Sequence, residues 1–231
     1  RTVVIGDLTD LTGAAANAMT PISYSLSDYV GYVNEHNLIP NVKLSIVQYD
    51  TQYKSDRFLL GYQSVKEQGA QVIFTGFPGV AEALNTQAQI DGIPIIECSA
   101  TDTVVDNPGA VFCLASLPRS LVPAELEWVY KNDWKGTGPA KIAFVSWNIP
   151  PDPDILKAVK AYCESNTSQY TFKGSSMAPA PTMTWSSQVT EFKDCDYIFF
   201  GSGGAVAPAT FIAQFRAAGG TAKILATDTL V

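Results

Sequence analysis

Residues 93–103 read Ile-Pro-Ile-Ile-Glu-Cys-Ser-Ala-Thr-Asp-Thr, an apolar run that ends abruptly in small hydroxyl residues. This pattern is typical of a buried parallel strand that leaves the core at a ligand cleft. In an open α/β sheet, ligands lie just outside the carboxyl ends of the strands. Backbone N–H groups and hydroxyls of Ser99, Ala100 and Thr101 would suit a carboxylate or another small anion. An ordinary hydroxyl-rich turn would give the same pattern, so both interpretations stay open on this stretch alone.

Strands and helices alternate at short spacing on the amino-terminal side of this stretch. Four strands are predicted there, over 2–8, 42–49, 71–75 and 93–97. The first helix is predicted to begin at Pro21, with Thr20 as a possible cap, after a turn over 7–13. A fifth strand is predicted over 111–115, without an intervening helix. This alternation predicts an α/β fold with a parallel sheet and helices on both faces.

The alternation restarts after Pro118 and predicts a second lobe. Its strands are predicted over 141–146, 170–173, 196–200 and 222–226. We therefore predict one α/β lobe over 1–117 and a second over 118–231. The Pro-rich stretch 176–183 is predicted to be a surface loop of the second lobe.

Composition excludes several classes of protein. The chain has 231 residues, is 46% hydrophobic and 16% charged, and carries a net charge of −7, which fits a folded globular protein. The negative charge disfavours a nucleic-acid partner, because phosphate binding needs clustered Lys and Arg. No apolar stretch approaches the roughly 18–20 residues of a membrane span. The chain opens directly on a strand, so a signal peptide either has been removed or never existed.

Catalytic motifs are missing from the sequence, and no cofactor or metal site is predicted. His36 is the only histidine, no GxSxG elbow is present, and we expect His36 to lie at a solvated helix end. The glycine-rich turn 201–204 lacks the third glycine of a dinucleotide fingerprint, since Val206 stands at that position. We therefore predict that the protein is not an enzyme.

Two residues near predicted strand ends are candidate ligand contacts. Trp147 follows the strand over 141–146 and would supply an aromatic wall in a βα loop, although half-buried packing explains it equally well. Asp228 follows the last predicted strand, where a carboxylate would pair with a ligand ammonium. Helix capping is the alternative for Asp228.

Five short segments follow one another in a familiar order. They are GDLTDLTG at 6–13, VQYDT at 47–51, GIPIIECSAT at 92–101, VFCL at 111–114 and FRAAG at 215–219. Their order and spacing resemble the type I solute-binding proteins of ABC importers, above all the group that binds leucine, isoleucine and valine. The likeness extends over essentially the whole chain.

The resemblance implies two Rossmann-like lobes joined by a hinge near 115–120. Such a protein captures a small ligand in the interlobe cleft and delivers it to an ABC permease in the membrane, without catalysis. It implies a periplasmic or cell-surface location. A ligand-sensing receptor or regulatory domain of the same fold is the alternative function.

The resemblance also implies a set of ligand contacts. In the amino-acid binders of this family, groups that match residues 99–101 hold the ligand carboxylate. The loop that matches Pro78 and Gly79 contributes beside them, and an acidic residue that matches Asp228 holds the ligand amine. A tyrosine expected near Gly203 is replaced by glycine, which alters the pocket. The expected ligand is an amino acid of branched-chain or aromatic type, or a related carboxylate.

Two further expectations come from the resemblance. The implied oxidising compartment favours disulfides, and we predict the pairs Cys98–Cys113 and Cys163–Cys195. The family chain continues beyond the position of Asp228 and crosses back between the lobes. We therefore expect the second lobe to be incomplete in this chain.

Overall fold

The computed structural model shows two compact units, which are described separately below. They comprise Arg1–Leu114 and Ala115–Val231. The structure describes residues 1–13, 15–76, 79–98, 101–149, 151–201 and 206–227. Five predicted ligand contacts fall outside these ranges, namely Pro78, Ser99, Ala100, Gly203 and Asp228.

The first unit is a five-stranded parallel sheet with connecting helices. Its elements are β1 (Thr2–Thr9), α1 (Ala16–Glu35), β2 (Lys43–Asp50), α2 (Ser55–Glu67), β3 (Val72–Thr75), α3 (Val80–Asp91), β4 (Ile95–Glu97), α4 (Asp102–Asp106) and β5 (Val111–Cys113). The strand order is β2-β1-β3-β4-β5, and every neighbouring pair is parallel. All carboxyl ends of these strands therefore lie at one edge of the sheet.

The main core of the first unit lies between one sheet face and helices α2 and α3. Leu8 and Ile73 are fully buried on this face and pack with Tyr62 of α2. Gly6 allows close approach of the helix, because a Cβ there would lie 2.7 Å from Cγ2 of Val65. The apolar faces predicted for these helices thus cover the sheet as the periodicity indicates.

Helix α1 begins five residues earlier than predicted. Its start follows a turn in which the Asp10 carboxylate accepts hydrogen bonds from the backbone N–H groups of Gly13 and Ala15. Pro21 lies inside the helix, so Thr20 is not a cap and the predicted start is wrong. Proline prefers the first turn of a helix. Here the two hydrogen bonds to the Asp10 carboxylate fix the turn that precedes α1, and the helix begins directly after this turn.

A short helix, α4, lies between β4 and β5, where the sequence predicted none. Thr101 is its N-cap, and the Thr101 hydroxyl accepts a hydrogen bond from the Val104 N–H at 3.4 Å. The helix has five residues, which is too short for the 3.6-residue periodicity on which the prediction depended.

The predicted turn over 7–13 begins later than expected, because strand β1 extends to Thr9.

The second unit is a four-stranded parallel sheet covered on both faces. Its elements are α5 (Pro118–Asn132), β6 (Ala140–Trp147), α6 (Asp152–Ser165), β7 (Tyr170–Ala178), α7 (Ser186–Phe192), β8 (Tyr197–Phe200), α8 (Val206–Ala217) and β9 (Lys223–Ala226). The strand order is β7-β6-β8-β9. Pairing with β6 continues to Ala178, so strand β7 includes residues 176–178. The surface loop predicted over 176–183 therefore begins three residues later than expected.

Two separate cores flank the second sheet. Alternate residues of the central strands point to opposite faces, as the two-residue period requires. Phe144 and Phe199 pack in the cluster that contains residues of α5 and α6. Val145 and Phe200 pack in the cluster that contains residues of α7 and α8. Because both faces are covered, these strands read as continuous apolar runs in the sequence.

All four cysteines are free, so both predicted disulfides are wrong. Cys163 belongs to the α5–α6 cluster and Cys195 to the α7–α8 cluster, so the sheet lies between them. Cys113 pairs in register with Glu97, whereas Cys98 is one residue further along the chain. Since successive strand residues point to opposite faces, this register does not bring the Cys98 and Cys113 side chains together.

Candidate ligand-binding site

The carboxyl edge of the first sheet brings together two of the predicted ligand contacts. Strand order reverses around β1, because β2 lies on one side of it and β3 on the other. Ligands of open α/β sheets bind outside the carboxyl ends of the strands at such a switch point. Gly79 begins α3, which follows β3, and Thr101 begins α4, which follows β4.

Gly79 is the N-cap of α3 and has a left-handed backbone. Its φ angle is +89°, a conformation that glycine adopts without the strain of a Cβ. The Gly79 carbonyl accepts a hydrogen bond from the Ala83 N–H at 3.2 Å. Helix α3 therefore starts at a residue that carries no side chain.

Thr101 is buried, and neighbouring groups use its hydrogen-bonding capacity. Its hydroxyl donates a hydrogen bond to the Glu82 carboxylate and accepts the one from Val104. Its backbone also hydrogen-bonds to the Cys113 thiol. Glu82 was not predicted as a site residue. Its position three residues after Gly79 was the available signal, but an acid in a first helical turn is ordinarily explained by the helix dipole.

Acidic side chains lie near two cysteine thiols at this edge. Burial raises the pKa of the Cys113 thiol, and the charges of Glu97 and Glu82 raise it further. Burial also raises the pKa of the Cys98 thiol, with added contributions from Glu97 and Asp7. Glu97 thus contributes to the raised pKa of both thiols.

Asp7 is a buried carboxylate inside β1, at the point where the predicted strand over 2–8 and the predicted turn over 7–13 overlap. Its Oδ2 accepts hydrogen bonds from the Ser23 hydroxyl and the Gln48 amide, both at 2.8 Å. Its Oδ1 is buried and has no hydrogen-bond partner among the described residues. Burial raises the pKa of Asp7, and the two hydrogen bonds oppose that shift.

The Asp50 carboxylate links the loops that follow β1 and β2 through hydrogen bonds. It accepts hydrogen bonds from the backbone N–H groups of Leu11 and Gln52, each at 3.0 Å, and from the Thr12 hydroxyl at 2.6 Å. Burial alone would raise the pKa of Asp50, but these hydrogen bonds and the charge of Arg57 outweigh it and lower the pKa. Asp50 therefore acts as a structural clamp at this edge.

In the second unit, Trp147 is the last residue of β6 and does not lie in the following loop, as the sequence had placed it. The strand extends this far because Trp147 pairs with Ala178 of β7. Its indole N–H donates to the Thr182 carbonyl at 2.8 Å, and its ring packs on the α7–α8 cluster. Trp147 therefore connects the ends of two neighbouring strands.

A second polar group lies at the carboxyl edge of the second sheet. Ser146, near the end of β6, and Asp152, in the first turn of α6, are both fully buried. Both approach Gly201, where a Cβ would lie 2.6 Å from Ser146 Oγ and 2.5 Å from Asp152 Oδ1. The glycine is required so that these side chains can lie against the backbone that follows β8.

Other candidate chemistry is not assembled in the described part of the chain. His36 is exposed at the end of α1, with Nδ1 3.0 Å from the Tyr32 carbonyl oxygen. The described residues contain no group of three or more His, Cys, Asp or Glu side chains placed to hold a metal ion. None of the helices within the described ranges combines the length and apolar character needed to span a membrane.

A profile of periplasmic binding proteins matches residues 2–230. The chain belongs to the periplasmic binding protein family. This confirms the resemblance on which the type I, two-lobed α/β prediction was based. A comparison with curated proteins gives no match.

Solved structures show the same fold in other periplasmic binding proteins. The branched-chain amino-acid ABC transporter protein of Thermus thermophilus with bound valine has a TM-score of 0.84 at 19% identity, covering 98% of this chain and 59% of that one. A solute-binding protein from R. palustris with 4-hydroxybenzoate has a TM-score of 0.80 at 17% identity, covering 100% and 63%. The fatty-acid substrate-binding protein of Thermomonospora curvata has a TM-score of 0.83 at 17% identity, covering 98% and 57%.

This chain therefore spans about three fifths of the length of these three proteins. Their names give three different ligand classes, namely a branched-chain amino acid, an aromatic acid and a fatty acid. At such low identity the comparison establishes the fold of this periplasmic binding protein. It does not identify the ligand, which has to be inferred from the residues of this chain.

Proposed function

We propose that this chain is the ligand-capturing part of an extracytoplasmic solute-binding protein of an ABC importer. Membership of the periplasmic binding protein family and the ABC-transporter names of the structural neighbours support this role. The protein would act in the periplasm or at the cell surface and would pass its solute to a membrane permease. It binds and releases the solute without chemical change.

The proposed ligand is a small carboxylate-bearing solute, with an amino acid of branched-chain or aromatic type as the first candidate. The observation that carries this proposal is the convergence of Gly79 and Thr101 at the carboxyl edge of the first sheet. Residues 99–101 and the turn at Pro78 would receive the ligand carboxylate through N–H and hydroxyl groups. Asp228 would receive a ligand ammonium through a charge-assisted hydrogen bond.

The contribution of the second unit is proposed from the same edge of its sheet. Trp147 would offer an aromatic surface to the ligand side chain. The turn around Gly203 would leave space where related proteins carry a tyrosine. A pocket of this kind accommodates an aliphatic or an aromatic side chain.

A thermal-shift screen of the full protein tests this function. The panel contains leucine, phenylalanine, their amine-free counterparts 4-methylpentanoate and 3-phenylpropanoate, and 4-hydroxybenzoate. A ligand at a hundred times its dissociation constant adds about 2.7 kcal/mol to the free energy of unfolding. We expect at least one acid of the panel to raise the melting temperature, and Asp228→Ala to abolish the shift caused by amino acids.

Asp28→Ala is the matched control, because Asp28 is exposed on α1. It should leave every ligand-induced shift unchanged. A panel in which no carboxylate shifts the melting temperature would refute the proposed ligand class. A shift by amino acids that survives Asp228→Ala would remove the ammonium role of Asp228.

A further inference from the structure

The segment 179–185, which connects β7 to α7, holds the side chain of Trp147. We propose that Gln214 of α8 positions the Trp147 indole through this segment and thereby favours ligands with an aromatic side chain. The inference rests on the proposed function, because it assumes that Trp147 contacts the ligand. It adds a positioning residue that the sequence did not single out and narrows the class of ligand.

Trp147 is held at two points, its backbone and the far end of its side chain. Its backbone pairs with Ala178 of β7, and the N–H of the next residue, Asn148, donates to the Ala178 carbonyl at 2.8 Å. The indole N–H donates to the Thr182 carbonyl, also at 2.8 Å. A side chain fixed in this way presents its ring in one orientation.

Gln214 bonds twice to the backbone beside the acceptor of the indole hydrogen bond. Its Nε2 group donates to the Met183 carbonyl at 2.8 Å, and its Oε1 atom accepts from the Trp185 backbone N–H at 2.8 Å. Met183 directly follows Thr182 in the chain. The amide of Gln214 therefore fixes the peptide next to the Thr182 carbonyl.

Helix α8 is a rigid base for this amide. Phe211 and Phe215, which are close to Gln214 along the helix, are fully buried in the α7–α8 cluster. Trp185 packs on Phe211 with ring centroids 5.8 Å apart, and its indole N–H donates to Thr210 Oγ1 at 3.0 Å. The segment is thus attached to α8 at two positions that are one helical turn apart.

Hydrogen bonding inside the segment does not fix its position on the sheet. Pro179 and Pro181 have no backbone N–H and cannot extend the pairing of β7. The Thr182 N–H donates to the Pro179 carbonyl at 2.9 Å, which closes a turn within the segment. The position of this turn relative to the sheet therefore depends on groups outside the segment, among them Gln214.

A fixed indole benefits an aromatic ligand more than an aliphatic one. Two aromatic rings attract most strongly in offset-stacked or edge-to-face arrangements, so their contact depends on ring orientation. The contact of an aliphatic side chain with a ring depends mainly on the apolar area removed from water. Trp147 is half-buried, so part of its surface remains open to a ligand.

A purely structural role for Gln214 gives a different expectation, because its loss would then weaken all ligands alike. Gln214→Glu keeps an oxygen that accepts from Trp185 and removes the N–H donor to Met183. Trp147→Phe keeps an aromatic ring and removes the indole N–H through which Gln214 acts. Together these substitutions form a double-mutant cycle, which isolates the coupling between the two residues.

The experiment is isothermal titration calorimetry on the full protein with phenylalanine and leucine, and with 3-phenylpropanoate and 4-methylpentanoate. In Gln214→Glu we expect the ratio of aromatic to aliphatic affinity to fall about 2- to 10-fold, the part of an aromatic contact that depends on orientation. In the Trp147→Phe background, Gln214→Glu should leave this ratio unchanged.

Nitrogen-15 NMR of the full protein gives an independent measurement. The indole N–H signal of Trp147 is identified by its loss in Trp147→Phe. In Gln214→Glu this signal should shift, and its proton should exchange faster with solvent, because the acceptor is held less firmly. An unchanged signal would show that Gln214 does not act on the indole and would overturn the inference.

Gln63→Glu is the control, because it makes the same chemical change at an exposed position of α2 in the first unit. It should change neither the affinity ratio nor the NMR signal. An unchanged ratio in Gln214→Glu, or an equal fall in the Trp147→Phe background, would overturn the positioning role while the proposed function stands. Binding of the aliphatic acids alone by the wild-type protein would also overturn it. Failure of the wild-type protein to bind any of the four acids would instead refute the proposed function.

Discussion

Replacing Gly201 by alanine should destabilise the second unit, because the added methyl group has no free space. Its Cβ would lie 2.5 Å from Asp152 Oδ1, 2.6 Å from Ser146 Oγ and 2.8 Å from Phe144 Cζ. All three neighbours are fully buried. None of them can swing into solvent to relieve the contact.

The magnitude follows from the cost of overpacking. Inserting a methyl group into a well-packed site costs about 1–3 kcal/mol. Three simultaneous contacts with fully buried neighbours place Gly201→Ala at the upper end, about 2–3 kcal/mol. With a urea m-value of about 1–3 kcal/mol/M, the unfolding midpoint should fall by about 1 M.

Tryptophan fluorescence during urea unfolding measures this change in the correct unit. The chain has four tryptophans, and all of them belong to the second unit: Trp128, Trp134, Trp147 and Trp185. Gly31→Ala is the matched control, because a Cβ at Gly31 meets no atom within 4 Å. It should stabilise α1 by up to about 1 kcal/mol and leave the tryptophan midpoint unchanged.

A Gly201→Ala midpoint within experimental error of wild type would refute the reasoning. It would mean that Asp152 and Ser146 move aside without cost, so the close approach is not a constraint. A fall of equal size in Gly31→Ala would also contradict it, because any added methyl group would then have the same effect.

Two further changes test buried polar groups. Tyr170→Phe should lower the free energy of unfolding of the second unit by about 1–2 kcal/mol, because the buried hydroxyl donates a hydrogen bond to the Leu126 carbonyl at 2.7 Å. The same tryptophan assay measures this loss. An unchanged unfolding midpoint would contradict the contribution of that hydrogen bond. Asp7→Asn should remove a pH dependence of stability. Because burial raises the pKa of Asp7 above 3.8, the folded chain binds the proton more tightly than the unfolded chain. The Asp7 contribution to stability is therefore fully present below the unfolded pKa. It is lost as pH rises through the folded pKa, by at most about 1.4 kcal/mol per pH unit. Urea unfolding followed by circular dichroism from pH 4 upward should show this loss in wild type and not in Asp7→Asn, and parallel curves would be inconsistent with the buried charge.

The sheet architecture was predictable because buried parallel strands appear in the sequence as short, continuous apolar runs. The four residues Tyr197–Phe200 of β8 are buried without exception, since helices cover both faces of the second sheet. Such a run cannot alternate with polar residues. All nine strands of the described residues were predicted from the sequence, with shifts at their ends.

Features set by a few local hydrogen bonds were harder to predict. The start of α1 depends on the Asp10 carboxylate, which accepts from two backbone N–H groups, and this outweighs the positional preference of Pro21. Helix α4 has too few residues for periodicity to reveal it. In both cases the deciding interaction is a side-chain hydrogen bond to the backbone and not an apolar pattern.

In the candidate site, too, positions at strand ends were predictable from the sequence, whereas contacts between distant residues were not. Thr101 was predicted because hydroxyl residues after a buried strand have a recognisable position, whereas Gly79 was predicted only from the family resemblance. Glu82 could not be assigned from the sequence alone, since its contact with Thr101 exists only when α3 and α4 start side by side. Strand order, and not spacing along the chain, creates that pair.

The separation of the free cysteines into different layers gives this protein natural probes of local unfolding. Cys163 reports on the α5–α6 layer and Cys195 on the α7–α8 layer, while Cys98 and Cys113 report on the edge of the first sheet. Burial raises the pKa of Cys163 to about 12 and that of Cys195 to about 11, so near neutral pH their thiols react mainly after their layer opens. The order in which an alkylating reagent modifies the four sites would therefore rank the opening rates of the layers in one unmodified chain.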